Sequence, residues 1–210
     1  MIAIIDYKAG NLISVERAVK HIGADCIITS DPAQIAASDR IIFPGVGAAG
    51  SAMESLARLQ LDKSLSFAFK ENKPILGICL GSQIILEQSE EQNTSCLGLI
   101  PGKVVSFLDN MEDENNISLK VPHMGWNTIS LKTSHPVLKD INTDNSFYFV
   151  HSYYPVPTKT AHILAETTYG ISFASILGFK NLIATQFHPE KSGAIGLQLL
   201  KNFLQWTPSI

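Results

Sequence analysis

Cysteine is scarce in this chain and odd in number: Cys26, Cys79 and Cys96, with no Cys-x-x-Cys pairing. Three such positions supply neither a disulfide framework nor the ligand spacing of a zinc site, and they suit a reducing cytosol. Nothing approaches the roughly 18 consecutive apolar residues of a membrane-spanning helix. Asp6 and Lys8 stand too early for the apolar core of a signal peptide. Basic charge is not in excess either. Sixteen Lys and Arg against nineteen Asp and Glu leave a net charge of −3, which gives no footprint for nucleic acid or an anionic membrane surface. Internal repeats, low-complexity tracts and linkers are missing as well. These absences predict a soluble cytoplasmic protein with neither nucleic acid nor membrane as partner, built as one domain over residues 1–210.

What is present is apolar and orderly. Of 210 residues, 45% are apolar and 17% charged, enough for a globular fold with a sizeable core. Residues 2–5, 26–29, 40–43 and 74–78 are β-branched or apolar runs of strand length. Between them lie segments of helical spacing at 12–22, 32–37, 53–61 and 65–71. Asp31-Pro32 reads as an N-cap followed by proline at the first helical position. This alternation predicts a mostly parallel open sheet with helices on both faces, an α/β fold. After Gly98 the pattern changes to short strand-like runs at 104–107, 128–131, 146–150, 162–166, 173–179 and 182–186. Turn signals separate them, so the C-terminal half reads as an antiparallel or mixed section closed by a helix at 197–206. The polar, acidic stretch 109–116 reads as a solvated loop.

In such sheets the working groups gather at the carboxyl ends of the strands. Two loops fall there. Pro44-Gly-Val-Gly47, continuing to Gly50, lacks the Gly-Lys-Ser/Thr ending of a phosphate loop. It is either an ordinary strand-to-helix turn or a loop whose backbone N–H groups approach a reacting centre. The second is Gly77-Ile-Cys79-Leu-Gly81, between a strand and a helix expected over 82–87. That is the arrangement of a nucleophile elbow: glycines allow the sharp turn, and helix N-terminal amides face the nucleophile and a developing oxyanion. A cysteine in an apolar run can equally be a small buried hydrophobe.

A thiol nucleophile needs a proton shuttle and the shuttle an orienting group. Of His21, His123, His135, His151, His162 and His188, only His188 ends an apolar strand-like run and has a carboxylate, Glu190, two residues on with Pro189 between. One imidazole nitrogen can then bond the carboxylate while the other faces the thiol.

Gly77-Ile-Cys79-Leu-Gly81-Ser-Gln83 together with His188-Pro-Glu190 resembles the triad, or class I, glutamine amidotransferases. Pro44-Gly-Val-Gly47, Gly98-Leu-Ile-Pro-Gly-Lys-Val104, Pro122-His-Met-Gly-Trp-Asn127 and Tyr148-Phe-Val-His-Ser-Tyr153 resemble, within them, the branch that feeds ammonia to a cyclase of histidine biosynthesis. The resemblance implies a Cys79 nucleophile that forms a γ-glutamyl thioester from L-glutamine, with His188 as acid and base and Glu190 as orienter. It implies oxyanion donors at Leu80 and near Val46 and Gly47, and a glutamine pocket made by Gln83, Glu91, Ser152 and Tyr153. It further implies a heterodimer with a cyclase of (βα)8-barrel fold, docked on His123, Met124, Trp126, Asn127 and Tyr148, with no cofactor and no metal.

By residue chemistry alone, Gln83 also reads as a helix-packing residue and Glu91 as part of a solvated acidic cluster. His123, Met124 and Trp126 suit either an interface or a buried corner. Three other functions compete: a paralogous glutaminase serving a different amidating enzyme such as one of surface-sugar biosynthesis, a Cys-elbow thioesterase or peptidase, and a non-catalytic regulatory subunit.

Overall fold

The computed structural model describes residues 1–8 and 10–208; Ala9, Ser209 and Ile210 lie outside the described residues. In chain order come β1 (Ile2–Ile5), α1 (Leu12–His21), β2 (Cys26–Thr29), α2 (Pro32–Ala37), β3 (Arg40–Gly45), α3 (Ala49–Arg58), α4 (Leu61–Lys70), β4 (Ile75–Cys79) and α5 (Leu80–Ile84). Then follow β5 (Gln88–Ser89), β6 (Thr94–Ser95), β7 (Gly102–Ser106), β8 (His123–Thr128), β9 (Ser130–Leu131), β10 (Ser146–His151) and β11 (Tyr153–Pro157). The chain closes with β12 (Ile163–Tyr169), β13 (Ile171–Phe179), β14 (Leu182–Thr185) and α6 (Gly193–Gln205).

Among the described residues the central sheet has eight strands in the order β2-β1-β3-β4-β14-β13-β12-β9. β2, β1, β3, β4 and β14 run parallel, and β13, β12 and β9 continue antiparallel. The expected mostly parallel sheet with an antiparallel C-terminal section is what forms. The continuous apolar strands follow from burial on both faces. Ile4, Ile42, Leu76 and Ile183 pack toward Val15 and Val19 of α1 and Leu199, Leu200 and Phe203 of α6. Their neighbours Ala3, Ile41, Phe43 and Ile75 pack on the other side against α2 to α5 through Ile35, Leu56, Leu65 and Ile84. Two smaller sheets, β10-β8 and β11-β7-β5-β6, flank the carboxyl edge.

The Asp31 cap forms as expected, its Oδ1 accepting from the Ala33 N–H at 2.9 Å. Several boundaries differ. α3 starts at Ala49 where residue 53 was expected, because the Glu91 carboxylate accepts from the Ala49 N–H at 2.7 Å and does the capping that the local sequence lacks. α4 likewise starts early, at Leu61, behind a left-handed Gln60. α5 runs over Leu80–Ile84 and not 82–87: the Ile84, Ile85 and Leu86 carbonyls accept instead from the N–H groups of Leu97, Leu99 and Gly98. The expected strand 128–131 is divided between β8 and β9, and β8 begins at His123. The acidic stretch 109–116 is a mostly exposed loop as expected, pinned by the buried Met111 and a bridge between Glu112 and Ser118.

Candidate active site

β4 ends at Cys79 and α5 begins at the next residue, with no loop between them. Such an abrupt turn forces Cys79 to φ 53°, ψ −109°, a sparsely populated conformation. The chain tolerates it because its neighbours are minimal. A Cβ on Gly81 would stand 2.1 Å from the Phe43 carbonyl oxygen of the adjacent strand, so only glycine lets α5 approach β3 this closely. Gly45 lies in register with Cys79, and the Tyr7 hydroxyl occupies the place where a side chain on residue 45 would go, 2.0 Å from an ideal Cβ.

The Cys79 thiol is 6% exposed and opens on a cavity of about 400 Å³. Val46, Gly47, Leu80, Gln83, Glu91, Ser152 and Tyr153, named from sequence as oxyanion and substrate groups, all line it with Cys79 and His188. The segments that deliver them differ: the end of β3 brings Val46 and Gly47, α5 brings Leu80 and Gln83, the β10–β11 corner brings Ser152 and Tyr153, and the turn after β5 brings Glu91.

His188 follows β14 at the same sheet edge, its N–H donating to the Tyr148 carbonyl at 2.9 Å. Its Nδ1 donates to Glu190 Oε1 at 2.7 Å, and both side chains are almost wholly buried. That bond fixes the tautomer and leaves the buried Nε2 for the Cys79 thiol, with no other side-chain or backbone partner among the described residues. Burial alone would lower the imidazole pKa. The Cys79 sulfur and the Glu190 carboxylate together outweigh it and raise the value to about 9.

Four further residues belong to this arrangement and were not singled out from sequence. Asn11 donates from Nδ2 to Glu190 Oε1 across 179 residues of chain. Ser192 Oγ donates to the His188 carbonyl at 2.6 Å and accepts from the Tyr148 N–H at 3.0 Å, clamping the turn that holds His188. Gln186, fully buried, directs Nε2 at the Cys79 sulfur from 3.9 Å. His151 lines the cavity and is buried. Gln186 and Ser192 sit inside the Gln186-Phe-His-Pro-Glu-Lys-Ser192 stretch, which was the available signal. Asn11 had none, since only the fold brings it to Glu190.

On β8, Met124 and Trp126 are 62% and 59% exposed, with Trp126 edge-on to Tyr148 of β10 at 6.2 Å. His123 does not share that surface, which corrects its expected place there. Side chains alternate along a strand, so residues 124 and 126 face outward while 123 turns inward, at 3% exposure. Asn127, on the His123 side, is half-buried. Among the described residues no group of three or more His, Cys, Asp or Glu side chains could hold a metal, and no helix is long and apolar enough to cross a membrane.

A strained cysteine at a strand–helix elbow, with a buried His–carboxylate pair and a cavity at the same sheet edge, is the arrangement of a thiol-nucleophile site. The family model for glutamine amidotransferase class-I matches residues 3–206, and the chain belongs to that family. It is 51% identical over 203 residues to the imidazole glycerol phosphate synthase subunit HisH of Nitratidesulfovibrio vulgaris (strain DSM 19637 / Miyazaki F), covering 97% of this chain and 95% of that one. It is 47% identical over 210 residues to the protein of the same name from Neisseria meningitidis serogroup B, covering 97% and 99%. Among solved structures, PurLQS from Thermotoga maritima shares the fold at a TM-score of 0.71 with 16% identity, covering 97% of this chain and 97% of that chain.

Proposed function

We propose that this chain is the glutaminase subunit of an imidazole glycerol phosphate synthase, one domain over residues 1–210, acting in the cytoplasm. Cys79 gives its thiol proton to His188 Nε2, and the sulfur attacks the side-chain carboxamide carbon of L-glutamine. The carbonyl π electrons move onto oxygen, and the oxyanion is held by backbone N–H groups at Leu80 and at Val46 or Gly47. His188 gives its proton from Nε2 to the leaving nitrogen, the C–N bond breaks, and ammonia departs from a γ-glutamyl thioester. His188 then takes a proton from water, which attacks the thioester, and glutamate leaves as Cys79 is restored. Glu190, held by Asn11, keeps the imidazole in the tautomer both steps need. Gln83, Glu91, Ser152 and Tyr153 hold the substrate.

Free ammonia would be lost to bulk water, so the reading includes a (βα)8-barrel cyclase docked over the carboxyl edge, on Met124, Trp126, Asn127 and Tyr148. The observation that carries the proposal is the juxtaposition of the Glu190–His188 pair with the Cys79 elbow in one cavity already lined by Gln83 and Glu91. Glutamate release, measured for the chain alone and with that cyclase and its nucleotide ligand, tests it. Stimulation by the partner, abolished in Cys79→Ala, is expected. Turnover indifferent to the cyclase would assign the ammonia to another acceptor, and activity surviving in Cys79→Ala would overturn the mechanism.

A further inference from the structure

Beneath the exposed face of β8, two buried histidines that the chemistry above does not use form one continuous hydrogen-bonded line toward the substrate pocket. His151 Nδ1 lies 2.8 Å from the Tyr153 carbonyl oxygen, and its Nε2 lies 3.0 Å from His123 Nδ1. His123 Nε2 lies 3.3 Å from Asn127 Nδ2. Asn127 Nδ2 also donates to the Thr168 carbonyl at 2.9 Å, while its Oδ1 accepts from the Thr128 N–H at 2.8 Å, which settles the orientation of that amide.

Every proton in the line then follows from its ends. A carbonyl only accepts, so His151 must donate from Nδ1 and offer a lone pair at Nε2. His123 must therefore donate from Nδ1, which leaves its Nε2 to accept from Asn127. Both rings are packed in aromatic side chains that hold their planes: His123 stacks between Phe149 and Tyr169 at centroid distances of 4.8 and 4.1 Å, and His151 lies 5.2 Å from Phe107 and 5.1 Å from Phe173.

At the pocket end, the Tyr153 carbonyl also accepts from Gln83 Nε2 at 2.8 Å, and the same nitrogen donates to Gln186 Oε1 at 3.1 Å. Both hydrogens of the Gln83 amide are thus spent on protein. Its Oε1 remains as an oriented acceptor on the wall of the cavity. Gln186, turned by the same contact, is left with Nε2 toward the Cys79 sulfur.

We propose that His123 and His151 are positioning residues: a directional hydrogen-bond line from Asn127 on β8 that fixes the Tyr153 carbonyl and, through it, the Gln83 acceptor that receives the N–H of the substrate carboxamide. This rests on the glutaminase reading of the pocket. It also gives the β8 face a direct mechanical connection to substrate orientation, since a partner that shifts Asn127 shifts the anchor of the line.

The test is performed on the full chain by letting L-glutamine, which carries the carboxamide N–H, protect Cys79 from alkylation by iodoacetamide, with iodoacetamide alone as a probe of the thiol. His123→Phe keeps the ring and removes the donor. It is expected to raise the glutamine concentration for half-maximal protection about tenfold, the worth of one misplaced hydrogen bond. The iodoacetamide rate without glutamine should stay within about twofold of that of the native chain, as expected when orientation of the ligand and not reactivity of the thiol is lost. His123→Asn, which returns an N–H to the Nδ1 position, should recover most of that loss although it fills the aromatic slot worse. Long-range ¹H–¹⁵N correlation at neutral pH should show both imidazoles as Nδ1–H tautomers.

Native half-saturation in His123→Phe would overturn the proposal. So would equal losses in Phe and Asn, which would mean shape alone matters, or an Nε2–H tautomer at either ring. If iodoacetamide alkylates Cys79 of the native chain and glutamine gives no protection, the pocket assignment fails, whatever tautomers the rings show.

Discussion

His188, His123 and His151 lie in one part of the molecule and are driven in opposite directions. Pairing with Cys79 and Glu190 overcomes the burial of His188 and raises its pKa to about 9. Burial with no opposite charge lowers His123 to about 4, and burial, opposed only in part by the Tyr153 carbonyl, lowers His151 to about 3. The consequences for stability have opposite signs. For His188 the folded chain holds a proton that the unfolded chain, near pKa 6.5, releases first. Its contribution is complete below about pH 6.5 and is lost as pH rises through about 9, on the order of 3 kcal/mol in all. His123 and His151 are neutral when folded, so the unfolded chain takes up protons first as pH falls below about 6.5, and stability declines toward acid. Urea unfolding from pH 4 to 10 should therefore give a dome. Glu190→Gln should flatten the alkaline limb and His123→Phe the acid limb. A dome unchanged by either substitution would contradict these assignments.

Elements set the precision of the site. Gly81→Ala places a methyl group against the Phe43 carbonyl and must push α5 off β3. Overpacking of this kind costs about 1 to 3 kcal/mol or more, and glutaminase activity should be lost with it. Asp31→Ala removes a cap far from the cavity and should cost about 1 kcal/mol with activity unchanged. Calorimetry and glutamate release together separate the two; an active Gly81→Ala chain would show that the elbow is not needed. The elements that could be read from sequence are those whose signal is local. The first four strands are apolar because both of their faces are buried, and α2 carries its own cap. What was missed depends on distant partners. The capping of α3 by Glu91 and the termination of α5 by residues 97–99 are tertiary hydrogen bonds. β11 carries Pro155 and Pro157, which argue against a strand, and is tolerated because it lies at the edge of its sheet. The same division holds at the site: Cys79, His188 and Glu190 announce themselves by spacing, whereas Asn11 and His151 acquire their places only through the fold.

At the scale of the whole molecule, Pro122 before β8 and Val150 and His151 of β10 line the cavity while Met124 and Trp126 of β8 are exposed, so under the proposed reading the cyclase would seat beside the pocket. Trp126 is the residue most suited to anchor that partner, being large, aromatic and exposed beside Tyr148. Trp126→Ala should weaken association with the cyclase by about 30-fold, the equivalent of roughly 2 kcal/mol, as read by titration calorimetry. Reactivity of Cys79 in the free chain should not change; undiminished affinity would move the docking surface elsewhere.

The central claim is that Cys79 carries the glutamyl group between two half-reactions. The most direct measurement is an acid quench of the assembled enzyme during glutamine turnover, followed by mass analysis of the peptide containing Cys79. A γ-glutamyl thioester on Cys79 that accumulates with glutamine and is missing in Cys79→Ala is the predicted result. Continued glutamate release with no adduct on Cys79, or with turnover retained in Cys79→Ala, would contradict the account.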